Sequence, residues 1–497
     1  MLTRAHGFAL TGLDATPIEI EAIVMADPRG EGFAIVGLPD KALQEARLRI
    51  RAAAVAAGMA LAGANVVVNL APAEVRKEGA GFDLPIALAV LAGSGWIDAS
   101  LVDEVSAVGE LAFDGRLRPV PGVLSIAEAA VRAGRPVLLC PAACVAEAAL
   151  VPGCRPLGCD DLGHAVAVLA GRQPAAPITV AVASDPLAVP DLADVRGQPA
   201  ARRALEICAA GGHNLLLVGP PGVGKSMLAR RLPGLLPPLD DEAALLVTRI
   251  HSAAGVLSPG SGLVRVPPFR APHHSATMPA LVGGGARIRP GEATLATGGV
   301  LFLDELPEFR RDALEALRAP LEDGVVRVVR ASGSAVLPAR FALVAAMNPC
   351  PCGGGGPSGC TCARDRVLAY QRRASGPLLD RIDVGVQLGR PTSVVLRADA
   401  PEATAAVRVR VVAARSLQEE RGCVNAAIAV GELDRLAPLA GEAAVLAEEA
   451  ERRLALSPRG LHRLQRVART IADLDGTVEI HPEHVAEAIG LRLGALS

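Results

Sequence analysis

The sequence predicts an α/β protein built on a parallel-sheet core, with another α/β unit before the core and a helical unit after it. Three observations carry that prediction. Apolar runs that read as buried strands recur at 214–218, 299–303 and 341–347. Segments of helical spacing separate them, which is the alternation a parallel sheet requires. Two of the runs also end in chemistry, one in a glycine-rich loop and one in a pair of carboxylates.

The elements follow in chain order. Residues 1–170 form the first unit. In it, 18–24 alternates like a strand, and Lys41 to Gly58 carries helical spacing that stops at a glycine. Residues 65–70 are another strand, Phe82 to Leu91 an apolar helix, and 109–122 contains a hairpin. Residues 171–190, with Gln173-Pro174-Ala175-Ala176-Pro177, read as a linker. The alternating core fills 191–394, and 395–497 is helical to its end, with no internal repeat.

Composition narrows the classes. A chain of 497 residues suits about three domains. Net charge is −2, so any nucleic-acid contact must come from local basic patches. No stretch approaches the ~18 consecutive apolar residues of a spanning helix. The segment Met1 to Gly7 lacks a signal-peptide core. A cytoplasmic protein without a membrane partner is expected.

The run Gly219-Pro220-Pro221-Gly222-Val223-Gly224-Lys225-Ser226 fits a phosphate-binding loop. The strand before it and the helical pattern at 227–232 give it the right context. Its glycines let the backbone approach a phosphate, Lys225 would reach the β- and γ-phosphates of ATP, and Ser226 would ligate Mg²⁺. The strand 299–303 delivers Asp304, expected beside Mg²⁺, and Glu305, expected to polarise the attacking water. The strand 341–347 delivers Asn348, whose amide would orient that water or hold the γ-phosphate. Arg381 lies on a short loop after a helix, in position for an arginine finger; the alternative is an ion pair with Asp380 or Asp383. Arg459 opens a C-terminal helix. Gln198 precedes the first core helix and is expected near the adenine.

This order of motifs resembles an AAA+ ATPase. The runs 268–275, 283–285, 290–292 and 303–309 resemble the magnesium-chelatase-like proteins of the YifB/ComM type, and the likeness covers nearly the whole chain. The resemblance implies that Asn348 is the first sensor, Arg459 the second sensor, and Arg381 a finger acting on a neighbouring subunit. A finger of that kind implies a ring, most often a homo-hexamer. Residues 76–84 and 109–122 resemble the ribosomal-S5-like proteolytic domain of Lon. At that domain's serine and lysine positions stand Gly81 and Leu124, which cannot perform its chemistry, so the domain is read as non-catalytic. Lys41, Arg76 and Lys77 suit either contact with nucleic acid or simple solvation, and the solvated reading is preferred.

Cys350, Cys352, Cys360 and Cys362 crowd a short segment directly after Asn348. Four thiolates so close suit a structural Zn²⁺ ion; reduced free cysteines or a disulfide are the alternatives. The scattered Cys140, Cys144, Cys154 and Cys159 read as core.

Two inserts would face a central pore. One carries Arg270, His273, His274, Arg287 and Arg289; the other is a hairpin carrying Arg327 and Arg330. These groups suit salt-sensitive contacts to DNA phosphates, or else ion pairs between subunits. The resemblance implies a hexameric motor on single-stranded or branched DNA, promoting branch migration in recombination or natural transformation. The other function carried forward is the ATPase motor subunit of a magnesium chelatase.

Overall fold

The computed structural model describes residues 2–27, 32–61, 63–179, 189–285, 288–330, 333–354, 360–374, 376–392 and 400–493. Among the described residues the first unit has nine strands: β1 (Leu2–Thr11), β2 (Asp14–Ala26), β3 (Phe33–Val36), β4 (Ala64–Ala71), β5 (Ser106–Ala107), β6 (Glu110–Leu111), β7 (Leu117–Arg118), β8 (Val137–Pro141) and β9 (Arg155–Cys159). Seven of them form one sheet in the order β3-β4-β2-β1-β5-β8-β9, and β6 and β7 pair as a separate hairpin. In β2 the alternating Ile18, Ile20 and Ala22 are buried, as period-two patterning demands. The helix Asp83–Gly93 is apolar on every side and buried along nearly its whole length, which is the signature of a helix wholly inside a core.

Three local expectations change. The helical stretch from Lys41 is two helices, Lys41–Gln44 and Ala46–Ala56. The helix after the phosphate loop stops at Ala229, and another begins at Leu232. Lys77 is not solvated: its side chain is fully buried and its ammonium donates to Pro72 O, while burial pulls its pKa down. Among the scattered cysteines, Cys140, Cys144 and Cys159 are buried and Cys154 is half-buried. Of the expected linker, residues 180–188 lie outside the described residues, and Ala176 bridges to Gly158 of β9.

The core sheet holds β10 (Leu215–Val218), β11 (Phe269–Arg270), β12 (Val300–Leu303), β15 (Ala342–Met347) and β16 (Val384–Gln387) in the order β11-β12-β15-β10-β16. Every pairing in it is parallel. Such a sheet is covered on both faces, and its strands therefore read as continuous apolar runs. Between β12 and β15, β13 (Val325–Arg330) and β14 (Gly333–Pro338) form a separate antiparallel hairpin. The C-terminal helices Thr404–Glu420, Gly441–Leu454, Pro458–Leu474 and Pro482–Leu493 share one buried cluster with β10 and β16.

The first unit is fastened to the core through the helix Asp241–Ala254. Arg249 on that helix donates to Leu13 O at 3.0 Å and to Asp14 at 2.8 Å. Ser252 donates its hydroxyl to Glu147, and Gly122 N–H donates to Ser252 O at 3.0 Å. Leu13 packs into the core's own buried cluster.

Candidate nucleotide site

Four strand ends converge at the carboxyl edge of the core sheet, where open α/β sheets bind ligands. β10 runs into Gly219, where a Cβ would come within 2.7 Å of Leu388 O; no side chain fits. Gly222 and Gly224 adopt φ of 77° and 100°, a left-handed backbone that glycine takes without strain. The helix starts at Lys225.

Lys225 is buried. Its ammonium donates to Gly219 O at 2.5 Å, Pro220 O at 3.0 Å and Asn348 Oδ1 at 2.9 Å. Three oxygens thus surround the cation. Burial lowers its pKa, and Asp304 and Glu305 oppose that shift. Ser226 donates its hydroxyl to Asp304 Oδ2 at 2.5 Å, which brings two oxygen donors together as a hard divalent cation requires. Gln198 sits beside the loop, its amide donating to Gly389 O at 2.6 Å and lying 3.5 Å from Val223 O.

Glu305 has φ 53° and ψ 48°, a strained conformation for a non-glycine residue. Its carboxylate lies 3.3 Å from His274 Nδ1, a contact the sequence does not announce. His274 lies against His273, with ring centroids 4.0 Å apart and ring planes tilted by 35°.

Arg381 and Arg459 lie elsewhere. On β16, Gln387 is level with Val218, which precedes the phosphate loop. Arg381 precedes that strand, and its carbonyl accepts from Asn214 Nδ2 at 2.9 Å, beside the amino end of β10. It pairs with Glu322 rather than with Asp380 or Asp383, and Arg459 lies 3.8 Å from the same Glu322 oxygen. Both arginines therefore stand at the edge opposite their own phosphate loop. Glu322, on the helix Arg318–Asp323, has no sequence signal.

The four clustered cysteines meet. Sγ–Sγ distances are 3.3 Å for Cys350–Cys352, 3.7 Å for Cys352–Cys360 and 3.4 Å for Cys360–Cys350. All four Sγ atoms, Cys362 included, fall within 4.8 Å of one another. A tetrahedral ion with Zn–S of ~2.3 Å separates its sulfurs by about 3.8 Å, so the set fits zinc. A hydrogen bond from the Gly354 N–H, with help from the neighbouring thiols, brings Cys352 down to about 6. The loop touches the nucleotide site, because a Cβ on Gly353 would strike Pro221 at 2.7 Å.

The basic groups differ among themselves. Arg270 is committed to a bidentate pair with Glu292 at 2.6 and 2.8 Å. His273 contacts Ser275 Oγ at 2.8 Å, and Arg289 is exposed. Arg287 lies outside the described residues. Arg327, 3.3 Å from Asp323, and Arg330 are exposed on the β13–β14 hairpin beside exposed Val329.

The parallel sheet, its phosphate loop and the C-terminal helices define a P-loop ATPase of the AAA+ class. Family models agree: residues 191–395 match the model described as magnesium chelatase, subunit ChlI, 22–143 match subunit ChlI of Mg-chelatase, and 401–492 match its C-terminal region. Similar over nearly full length are an uncharacterized protein of Mycobacterium tuberculosis H37Rv (44% identical, covering 99% of this chain and 98% of that one) and YifB of Escherichia coli K12 (42%, 99% and 97%). Competence protein ComM of Haemophilus influenzae Rd is 43% identical, with 99% and 97% covered. The chain belongs to the YifB/ComM family of magnesium-chelatase-like proteins. Among the described residues no helix is long and apolar enough to cross a membrane.

Proposed function

We propose that this protein is an ATP-hydrolysing ring motor, a hexamer that moves single-stranded or branched DNA. The observation that carries hydrolysis is the convergence of Lys225, Ser226, Asp304, Glu305 and Asn348 at one sheet edge. Lys225 exchanges its carbonyl acceptors for β- and γ-phosphate oxygens. Ser226 and Asp304 hold Mg²⁺, which when bound neutralises charge on the phosphates. Glu305 takes a proton from the attacking water, and Asn348 aligns the γ-phosphate. Arg381 and Arg459, gathered at Glu322 and not at their own loop, act on the nucleotide of a neighbour; this supports a closed ring. Cys350, Cys352, Cys360 and Cys362 hold a structural zinc that braces the phosphate loop through Pro221. DNA contact falls to Arg327 and Arg330, with Arg289, His273 and the more committed Arg270 and His274 as further candidates. The name of the competence protein, borne by a relative this similar, supports DNA as the partner.

The test is steady-state ATP hydrolysis without DNA, with single strands and with a four-way junction, at two salt concentrations, while junction resolution is followed on a gel. Salt-sensitive stimulation with ATP-dependent junction movement is expected. Replacing Arg327 and Arg330 by alanine should lower the salt slope of DNA binding by about one unit per lost phosphate contact. Hydrolysis indifferent to every DNA overturns the reading. It would favour the motor subunit of a metal chelatase, the alternative suggested by the family models' descriptions.

A further inference from the structure

Glu322 holds two guanidinium groups that the proposed function assigns to a neighbour's nucleotide. We propose that Glu322 is an internal stand-in for that neighbour's phosphate: it fills the Arg381/Arg459 clamp in the separate subunit and is displaced when a second copy of this chain brings its nucleotide in. The inference rests on the trans assignment of Arg381.

The Arg381 side chain is only 10% exposed. A cation so enclosed needs a counter-ion in every state of the protein, because leaving it unpaired is costly. Before assembly the anion must therefore come from the subunit itself, and Glu322 supplies it. Arg459 and Glu322 are 72% and 47% exposed, so the clamp opens outward, toward where another subunit docks. Guanidinium forks suit phosphate as well as carboxylate, and a nucleotide phosphate brings more charge and more oxygens than one carboxylate. Displacement thus replaces one anion by a stronger one and strands no charge in Arg381's enclosure.

Release of Glu322 also has a mechanical outlet. Its helix ends at Asp323, which pairs with Arg327 of β13 at 3.3 Å, and Gly324 turns the chain directly into the hairpin. Entry of the neighbour's phosphate would be felt at the root of the proposed DNA-contacting hairpin. Glu322 is a positioning residue: it touches no reacting atom and acts through Arg381 and Arg459.

The experiment measures specific ATPase activity of the full chain against protein concentration, for wild type and for Glu322→Gln, Glu322→Ala and Glu322→Asp, with melting temperatures alongside. Removing the competing charge should make assembly easier: the half-maximal protein concentration falls several-fold in both Glu322→Gln and Glu322→Ala, and Glu322→Asp moves back toward wild type. General damage to the fold moves the midpoint upward instead. A midpoint that stays or rises in both neutral variants overturns the proposal. Mixing Lys225→Ala with Arg381→Ala separates the two layers. Restored hydrolysis in the mixture supports the trans assignment, and its absence sinks that assignment and the stand-in together. Restoration with an unmoved Glu322→Gln midpoint sinks the stand-in alone.

Discussion

The core sheet and the first unit both resemble folds that carry an active site, yet they treat their key positions in opposite ways. In the core, a lysine is buried among three waiting oxygens, beside a serine and two carboxylates. In the first unit, the position expected for the Lon-type lysine holds Leu124, fully buried in an apolar cluster with Val123, Ile126 and Leu138, and the position expected for its serine holds Gly81. The difference teaches that a fold keeps a catalytic cation only where it also keeps the acceptors that make burial bearable.

The sharpest break of this contrast is at Glu305. Glu305→Gln should lower ATP turnover by about 10²–10⁴-fold while nucleotide binding persists, since a general base is worth about that much; wild-type turnover would remove Glu305 from its role. Next comes the attempt to rebuild the other site. Leu124→Lys should destabilise the protein by about 3 kcal/mol or more, because the ammonium enters an apolar cluster. Gly81→Ser should stay within about 1 kcal/mol, as its added carbon would meet Val108 only at 3.5 Å. Denaturant melts read both, and an easily tolerated Leu124→Lys would erase the contrast.

Metal analysis should find about one zinc per chain, the number four thiolates hold. Chelation should reduce ATPase activity, because the cysteine loop rests on Pro221. A metal-free, folded and active protein ends the zinc proposal. The smallest expected effect belongs to Glu147, whose pKa burial raises, against hydrogen bonds from Ser252 and Leu124. A carboxyl raised in the native state binds its proton there more tightly than when unfolded. Stability therefore falls as pH climbs from the unfolded pKa of about 4.3 through the raised native value. Glu147→Gln should flatten that decline in melts from pH 4 to 7. An unchanged profile would show that Glu147 does not titrate with folding.

What the sequence disclosed depended on how local the information was. The phosphate loop and the strands before Asp304 and Asn348 announce themselves because spacing and backbone need coincide within a few residues. The pairing of His274 with Glu305, and of Glu322 with Arg381 and Arg459, joins positions far apart in the chain. No periodicity encodes such meetings. Lys77 misled for a different reason: lysine is almost always solvated, and only the folded loop supplies the Pro72 carbonyl that receives its ammonium.

The Arg249 and Ser252 contacts to the first unit carry a last consequence. Any movement of the core would reach the N-terminal unit through this side-by-side joint as well as through the connecting chain. A protease cut between the two units would then leave halves that travel together through a sizing column.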